Sequence, residues 1–195
     1  MMPPRSIRLF FACALALISA AAEAQIASSA RVDFDGDGKN DILWRNTSGS
    51  VSLWLMNGGT IKGGAGLGTV GSDWTISGIA DFDGDLKSDI LWRNTSGAVS
   101  LWLMNGGTIK GGAGLGTVGS DWTIAGLGDF DGDGKNDILW RNTSGSVSLW
   151  LMNGGVIKGG AGLGTVGSDW QIAAASPTRT SMNWDWGTWD NTNWN

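Results

Sequence analysis

Asp33-Phe34-Asp35-Gly36-Asp37-Gly38-Lys39-Asn40-Asp41, followed at once by Ile42-Leu43-Trp44-Arg45-Asn46, is the passage on which the fold turns. Carboxylates stand at positions 1, 3, 5 and 9 of the run, and an apolar stretch begins directly after the last of them. The passage returns at 81–94 and again at 129–142, a period of 48 residues. Units 33–80 and 81–128 differ at six positions. Units 33–80 and 129–176 also differ at six, four of them in the last four residues. Segments so alike must adopt one local structure, so the chain is an array of three.

Each unit breaks into short extended runs. Asp41–Asn46 is a candidate strand, and Thr47-Ser-Gly-Ser50 has turn chemistry. Val51–Met56 alternates, with Val51, Leu53 and Leu55 on one face and Ser52, Trp54 and Met56 on the other. Asn57-Gly58-Gly59 breaks the run as a hairpin would. Ile61–Val70, rich in glycine, reads as a third strand, and Trp74–Ala80 as a fourth that leads into the next acidic loop. No segment has helical periodicity. Four short strands in a unit of this length match one propeller blade, whereas the coils of a β-solenoid are shorter. The expected fold is all-β: three tandem four-stranded blades of a β-propeller, a partial ring open to closure by self-association.

The acidic loop is built for a hard divalent cation. Ca²⁺ takes six to eight oxygens in flexible geometry, and carboxylates at alternate positions wrap around one point. Position 7, Lys39, offers a backbone carbonyl, and Gly38 at position 6 permits a left-handed turn. Four carboxylates within nine residues repel one another unless a cation neutralises them. The second loop has Leu86 where the others have glycine. A branched side chain in that conformation costs about 1 kcal/mol or more, so the second site is expected to be the weaker. An EF-hand is excluded, because position 12 is Trp44, Trp92 or Trp140 rather than a bidentate Glu, and a strand follows instead of a helix.

Composition narrows the function. Arg5 and Arg8 precede the apolar run Leu9–Ala21, and Ala22-Glu23-Ala24 offers a small-x-small cleavage site. Residues 1–24 therefore read as a secretory signal. The run is too short for a comfortable membrane span, and Cys13 lies inside it rather than after it, which disfavours a lipoprotein. Cleavage removes the only Cys and the only Glu, and leaves 11 Lys/Arg against 17 Asp, a formal charge of 11 − 17 = −6. An acidic chain without a basic stripe is a poor nucleic-acid ligand. The mature chain has no His, Cys or Glu, the usual acid–base and nucleophilic residues, so no enzyme is expected. The tail 177–195, rich in Trp and Asn, reads either as disordered or as a strand laid on the last blade.

Nine of the 13 Trp recur at fixed places in the units. Trp44 sits in an apolar run and is assigned to blade packing. Trp54, opposite its strand's aliphatic face, is the better candidate for a surface. Arg45, Arg93 and Arg141 are assigned a structural role. Asn46-Thr-Ser and its copies match the glycosylation sequon but also make good turns, and are read as turns.

The loop Asp33-x-Asp35-x-Asp37-Gly38-x-x-Asp41 with the following Ile42-Leu43-Trp44 resembles the FG-GAP/VCBS-type repeat. That repeat builds the calcium-binding β-propellers of integrin α-chain heads and of many bacterial secreted proteins. The bacterial form looks especially similar, through Asp-Ile-Leu-Trp-Arg-Asn (41–46), Trp-Leu-Met-Asn-Gly (54–58) and their copies. The resemblance covers about residues 31–176, within a repeat domain taken as 25–176. It implies a ring of blades with Ca²⁺ in a loop near the start of each. The implied ligands are Asp33, Asp35, Asp37, the Lys39 carbonyl and Asp41. In the second unit they are Asp81, Asp83, Asp85, the Lys87 carbonyl and Asp89. In the third they are Asp129, Asp131, Asp133, the Lys135 carbonyl and Asp137. It further implies a secreted bacterial protein, extracellular or periplasmic, that acts in adhesion or binding on a glycan or a cell-surface protein. The competing readings are a structural self-assembling repeat and, less favoured, a carbohydrate-active enzyme. Such rings commonly have six or seven blades and this chain supplies three, so either two chains close a six-bladed ring by self-association, the favoured reading, or the chain is a remnant or truncated product.

Overall fold

A computed structural model of the chain describes residues 31–173; residues 1–24, read as a secretory signal, and the tail 177–195 lie outside the described residues. The first unit forms β1 (Ile42–Arg45), β2 (Ser50–Asn57), β3 (Thr60–Thr69) and β4 (Trp74–Ala80). The second forms β5 (Asp89–Asn94), β6 (Ala98–Asn105), β7 (Thr108–Thr117) and β8 (Trp122–Gly128). The third contributes β9 (Asp137–Asn142), β10 (Ser146–Asn153) and β11 (Val156–Thr165). All pairings are antiparallel. In the first two units each expected strand is present within a residue or two of its expected ends, whereas residues 170–173, the start of the fourth strand expected in the third unit, form no strand among the described residues.

The sheets are out of phase with the sequence units. Their strand orders are β1-β2-β3, β4-β5-β6-β7 and β8-β9-β10-β11. Each four-stranded sheet therefore takes its first strand from the preceding unit. The first sheet has three strands among the described residues. The described residues form three tandem blades, the first with three strands and the others with four, and no closed ring.

The glycine-rich run becomes a strand because its partner comes very close. A Cβ on Gly64 would stand 2.2 Å from the Leu53 carbonyl oxygen, and Gly112 and Gly160 repeat the contact with Leu101 and Leu149. Only glycine admits that approach. Register shifts between Val51 and Ser52 and between Leu55 and Met56 mark bulges in the same pair.

Register sorts the side chains into two faces per blade. Ile42 opposes Trp54 and Trp44 opposes Ser52, so Ile42, Trp44 and Trp54 share one face. Leu43 opposes Leu53 and Arg45 opposes Val51, so these four share the other. Trp44 and Trp54 meet edge-on at 4.9 Å, and Trp92–Trp102 and Trp140–Trp150 repeat the pair at 5.0 Å.

Blades stack with the Leu/Arg face of one against the Trp face of the next. One core joins Phe34, Val51 and Leu53 of the first unit to Ile90, Trp92 and Met104 of the second. The other joins Phe82, Val99 and Leu101 to Ile138, Trp140 and Met152. Arg45 lies 5.5 Å above the Trp92 ring and Arg93 5.4 Å above Trp140. The Arg45 guanidinium also donates to the carbonyls of Trp74, Val70 and Gly71, so it ties the β3–β4 turn to its blade. Asn46, read as a turn residue, accepts at its side-chain oxygen from the Ser50 amide.

Candidate metal centre

Each acidic loop is shaped by its first and last aspartates. Asp33 lies at the loop mouth, and its Oδ1 accepts the amide of Gly36 at 2.8 Å while its Oδ2 accepts that of Gly38 at 2.7 Å. The loop thus curls around one carboxylate. Asp41 closes the other end: its Oδ2 accepts the Phe34 amide at 2.7 Å and its Oδ1 the Met56 amide at 2.8 Å. One side chain thereby ties the loop's start to the end of β2. Asp89 and Asp137 repeat both bonds. Charge-assisted bonds of this kind are stronger than neutral ones, and buried amides would be left unsatisfied without them.

With positions 1 and 9 bound to backbone, positions 3 and 5 face a cation. The side chain there is a lysine from the glycine-rich strand. Lys62 Nζ stands 2.7 Å from Asp35 Oδ2 and also contacts Asp37 Oδ2. Lys110 bridges Asp83 and Asp85, and Lys158 bridges Asp131 and Asp133, in the same way. Sequence reasoning does not single out these three lysines. Their signal is present all the same: each falls 29 residues after the first aspartate of its unit.

Three oxygen clusters result. In Asp33, Asp35 and Asp37, in Asp81, Asp83 and Asp85, and in Asp129, Asp131 and Asp137, one carboxylate oxygen from each residue lies within 4.8 Å of the others. Asp83 Oδ1 is buried and has no hydrogen-bond partner among the described residues. Lys39, Lys87 and Lys135, expected to give carbonyl ligands, each donate a backbone amide to the position-5 aspartate at 2.9–3.0 Å. The donor set is all oxygen and anionic, which suits Ca²⁺.

Electrostatics separates the carboxylates into two kinds. The Lys62 ammonium, helped by Lys39, holds Asp37 down at about 2, and Lys158 does the same for Asp133. Burial pushes Asp89 up to about 7, against the pull of the Met104 and Phe82 amides. Asp41, Asp81 and Asp137 are also raised by burial. A cation beside them would favour the ionised form.

Position 6 takes up the left-handed conformation expected of it. Gly38 has φ +84° and Gly134 φ +82°. Leu86 has φ +66°, the one non-glycine residue with positive φ among those described. The loop shape overrides the side chain's preference.

Comparison with known families agrees with this geometry. The FG-GAP-like repeat matches residues 33–92 and 81–140, and the FG-GAP repeat matches 122–166. The second of these matches runs from β8 through β11, which is one whole sheet. No curated protein and no solved structure matches the chain. Period, blade and acidic loop thus meet over residues 33–166, and the chain belongs to the FG-GAP repeat family.

Proposed function

We propose that the chain is an exported, calcium-stabilised binding module without catalytic activity, which presents its blades to a glycan or a cell-surface protein. The observation that carries the metal reading is the carboxylate cluster repeated in all three loops, with the unpartnered Asp83 Oδ1 at the second. Asp33, Asp35 and Asp37 would hold the ion in the first loop, Asp81, Asp83 and Asp85 in the second, and Asp129, Asp131 and Asp137 in the third. Bound Ca²⁺ would neutralise the crowded carboxylates and stiffen each loop where it joins two strands. The ion and the bridging lysine compete for the same oxygens, so binding requires Lys62, Lys110 and Lys158 to swing away. Three sites are expected, with the second weaker because of Leu86.

The binding role rests on the family and on composition. The mature sequence has no His, Cys or Glu to supply acid–base or nucleophilic chemistry. Half-exposed tryptophans such as Trp54 suit stacking on sugar rings. Calorimetric Ca²⁺ titration of the metal-stripped chain tests the metal reading, with three sites and a raised melting temperature expected. Absence of both heat and stabilisation would reduce the loops to acidic turns. A glycan array in Ca²⁺ tests the binding role, and silence there would leave assembly as the function.

A further inference from the structure

We propose that a second copy of this chain docks head to tail on the first, the Trp face of one first blade covering the Leu/Arg face of the other's last blade. The inference rests on the blade faces and not on the metal sites. The two contacts inside the chain repeat in detail, and a third copy of the same contact is divided between the chain's two ends.

Among the described residues the leading end has no blade before it. Trp44 is 46% exposed, while Trp92 and Trp140 are 1% exposed. Ile42 is 38% exposed, while Ile90 and Ile138 are fully buried. The difference lies in the neighbour, since Trp92 and Trp140 each have the preceding blade against them. The trailing end has no blade after it among the described residues. Phe130 is 43% exposed, whereas Phe34 and Phe82 are fully buried. Arg141, the equivalent of Arg45 and Arg93, has no ring above which to lie among the described residues.

The polar groups divide in the same way. Between blades, the Ser88 amide donates to the Asp33 carbonyl and the Asn136 amide to that of Asp81, each at 2.7 Å. The Gly106 amide donates to the Phe34 carbonyl and the Gly154 amide to that of Phe82, each at 2.8 Å. Shifted by one unit, the donors become the Asn40 and Gly58 amides and the acceptors the Asp129 and Phe130 carbonyls. Among the described residues these four groups make no such backbone bond. The sheet edge follows suit: the Thr95 amide donates to the Asp73 carbonyl and the Thr143 amide to that of Asp121. The next pair in the series is the Thr47 amide at the β1 edge and the Asp169 carbonyl. Apolar surface, cation–π partner, two amide–carbonyl pairs and a strand edge are thus complementary between one end and the other. A contact whose two sides differ is heterologous, and it closes into a ring when the rotation per unit allows. Two chains supply six blades.

Sedimentation velocity of the purified chain at micromolar concentration tests this. Twice the chain mass is expected. Trp44→Asp and Phe130→Asp alter side chains that are exposed at the ends, and each should weaken association roughly 30-fold or more, as loss of a central aromatic anchor does. Each variant keeps one intact face, so mixing the two should restore a heterodimer through the single good contact. Arg141→Ala, which removes no apolar side chain, should act in the same direction, and circular dichroism of each variant checks that the blades remain folded. A wild-type chain that stays monomeric would overturn the proposal, whether its ends stay bare or are covered by a segment outside the described residues. So would a mixture of the two variants that fails to pair, or a Trp44→Asp variant that still doubles its mass.

Discussion

Replacing Leu86 by Gly isolates the cost of one backbone conformation. Leu86 holds φ +66° where Gly38 and Gly134 hold +84° and +82°. The left-handed region costs a side-chain-bearing residue about 1–2 kcal/mol. Glycine brings an opposing cost of about 0.4–1 kcal/mol, because it leaves the unfolded or open chain more freedom to lose. Leu86 is 75% exposed, so little burial is forfeited. The net is about 0.5–1 kcal/mol in favour of the closed loop, equivalent to a two- to fivefold gain in affinity at the second site. Calorimetric Ca²⁺ titration of Leu86→Gly against wild type reads this directly. The weaker class of site should merge with the other two, which themselves should not move. Gly38→Leu should do the reverse, adding a second weak site. Unchanged isotherms for both variants would refute the argument that strain at position 6 sets the affinity.

Other outcomes come from burial and charge. Trp92→Ala should cost about 3–5 kcal/mol in urea unfolding, as large-to-small changes in packed cores do; Trp44→Ala, at the same place in the repeat but half-exposed, should cost the folded monomer much less. Lys62→Met removes the ammonium that bridges Asp35 and Asp37, so calorimetry should record several-fold tighter Ca²⁺ binding at the first site. In metal-free buffer, Asp89 with its carboxyl raised to about 7 favours the fold below the ordinary carboxylate range and loses that advantage as pH climbs through 7. Asp37 and Asp133, held at about 2, contribute above that range and lose their contribution only as pH falls toward 2. Melting curves without metal should therefore peak in mild acid and decline toward pH 8, and added Ca²⁺ should reverse the decline because the ion binds ionised carboxylates. A flat profile in both conditions would contradict the assignment of Asp89 as the buried, raised group.

Local order is legible in this sequence, and joints between elements are not. Alternation marks β2 and the Asn57-Gly58 break marks its turn because both are properties of neighbouring residues. The offset of sheet from unit is a tertiary matter. Trp74–Ala80 reads as a strand, but nothing within it says that it pairs with β5 rather than with β3. The aspartates of the loop are legible by their spacing, and the left-handed turn at Leu86 by alignment with Gly38 and Gly134. The division of labour among those aspartates is not, since it depends on which amides lie within reach. Spacing names Asp41 as a ligand, but it does not reveal that the same oxygens also hold the Phe34 and Met56 amides. Lys62 lies 25 residues from Asp37, across a hairpin whose register must be known before the two can be paired. Sequence assigns Trp44 to packing and Trp54 to a surface. Both are half-exposed, because burial here depends on whether a blade precedes.

The offset between unit and sheet makes the array interlaced rather than beaded. β4 is encoded in the first unit and hydrogen-bonded in the second blade, and β8 stands likewise between second and third. Neither the first nor the second unit can therefore melt alone, because its departure strips a strand from the blade after it. The boundary between units, at Ala80 and Asp81, falls inside a sheet between β4 and β5, so pulling neighbouring units apart must peel one strand from its sheet.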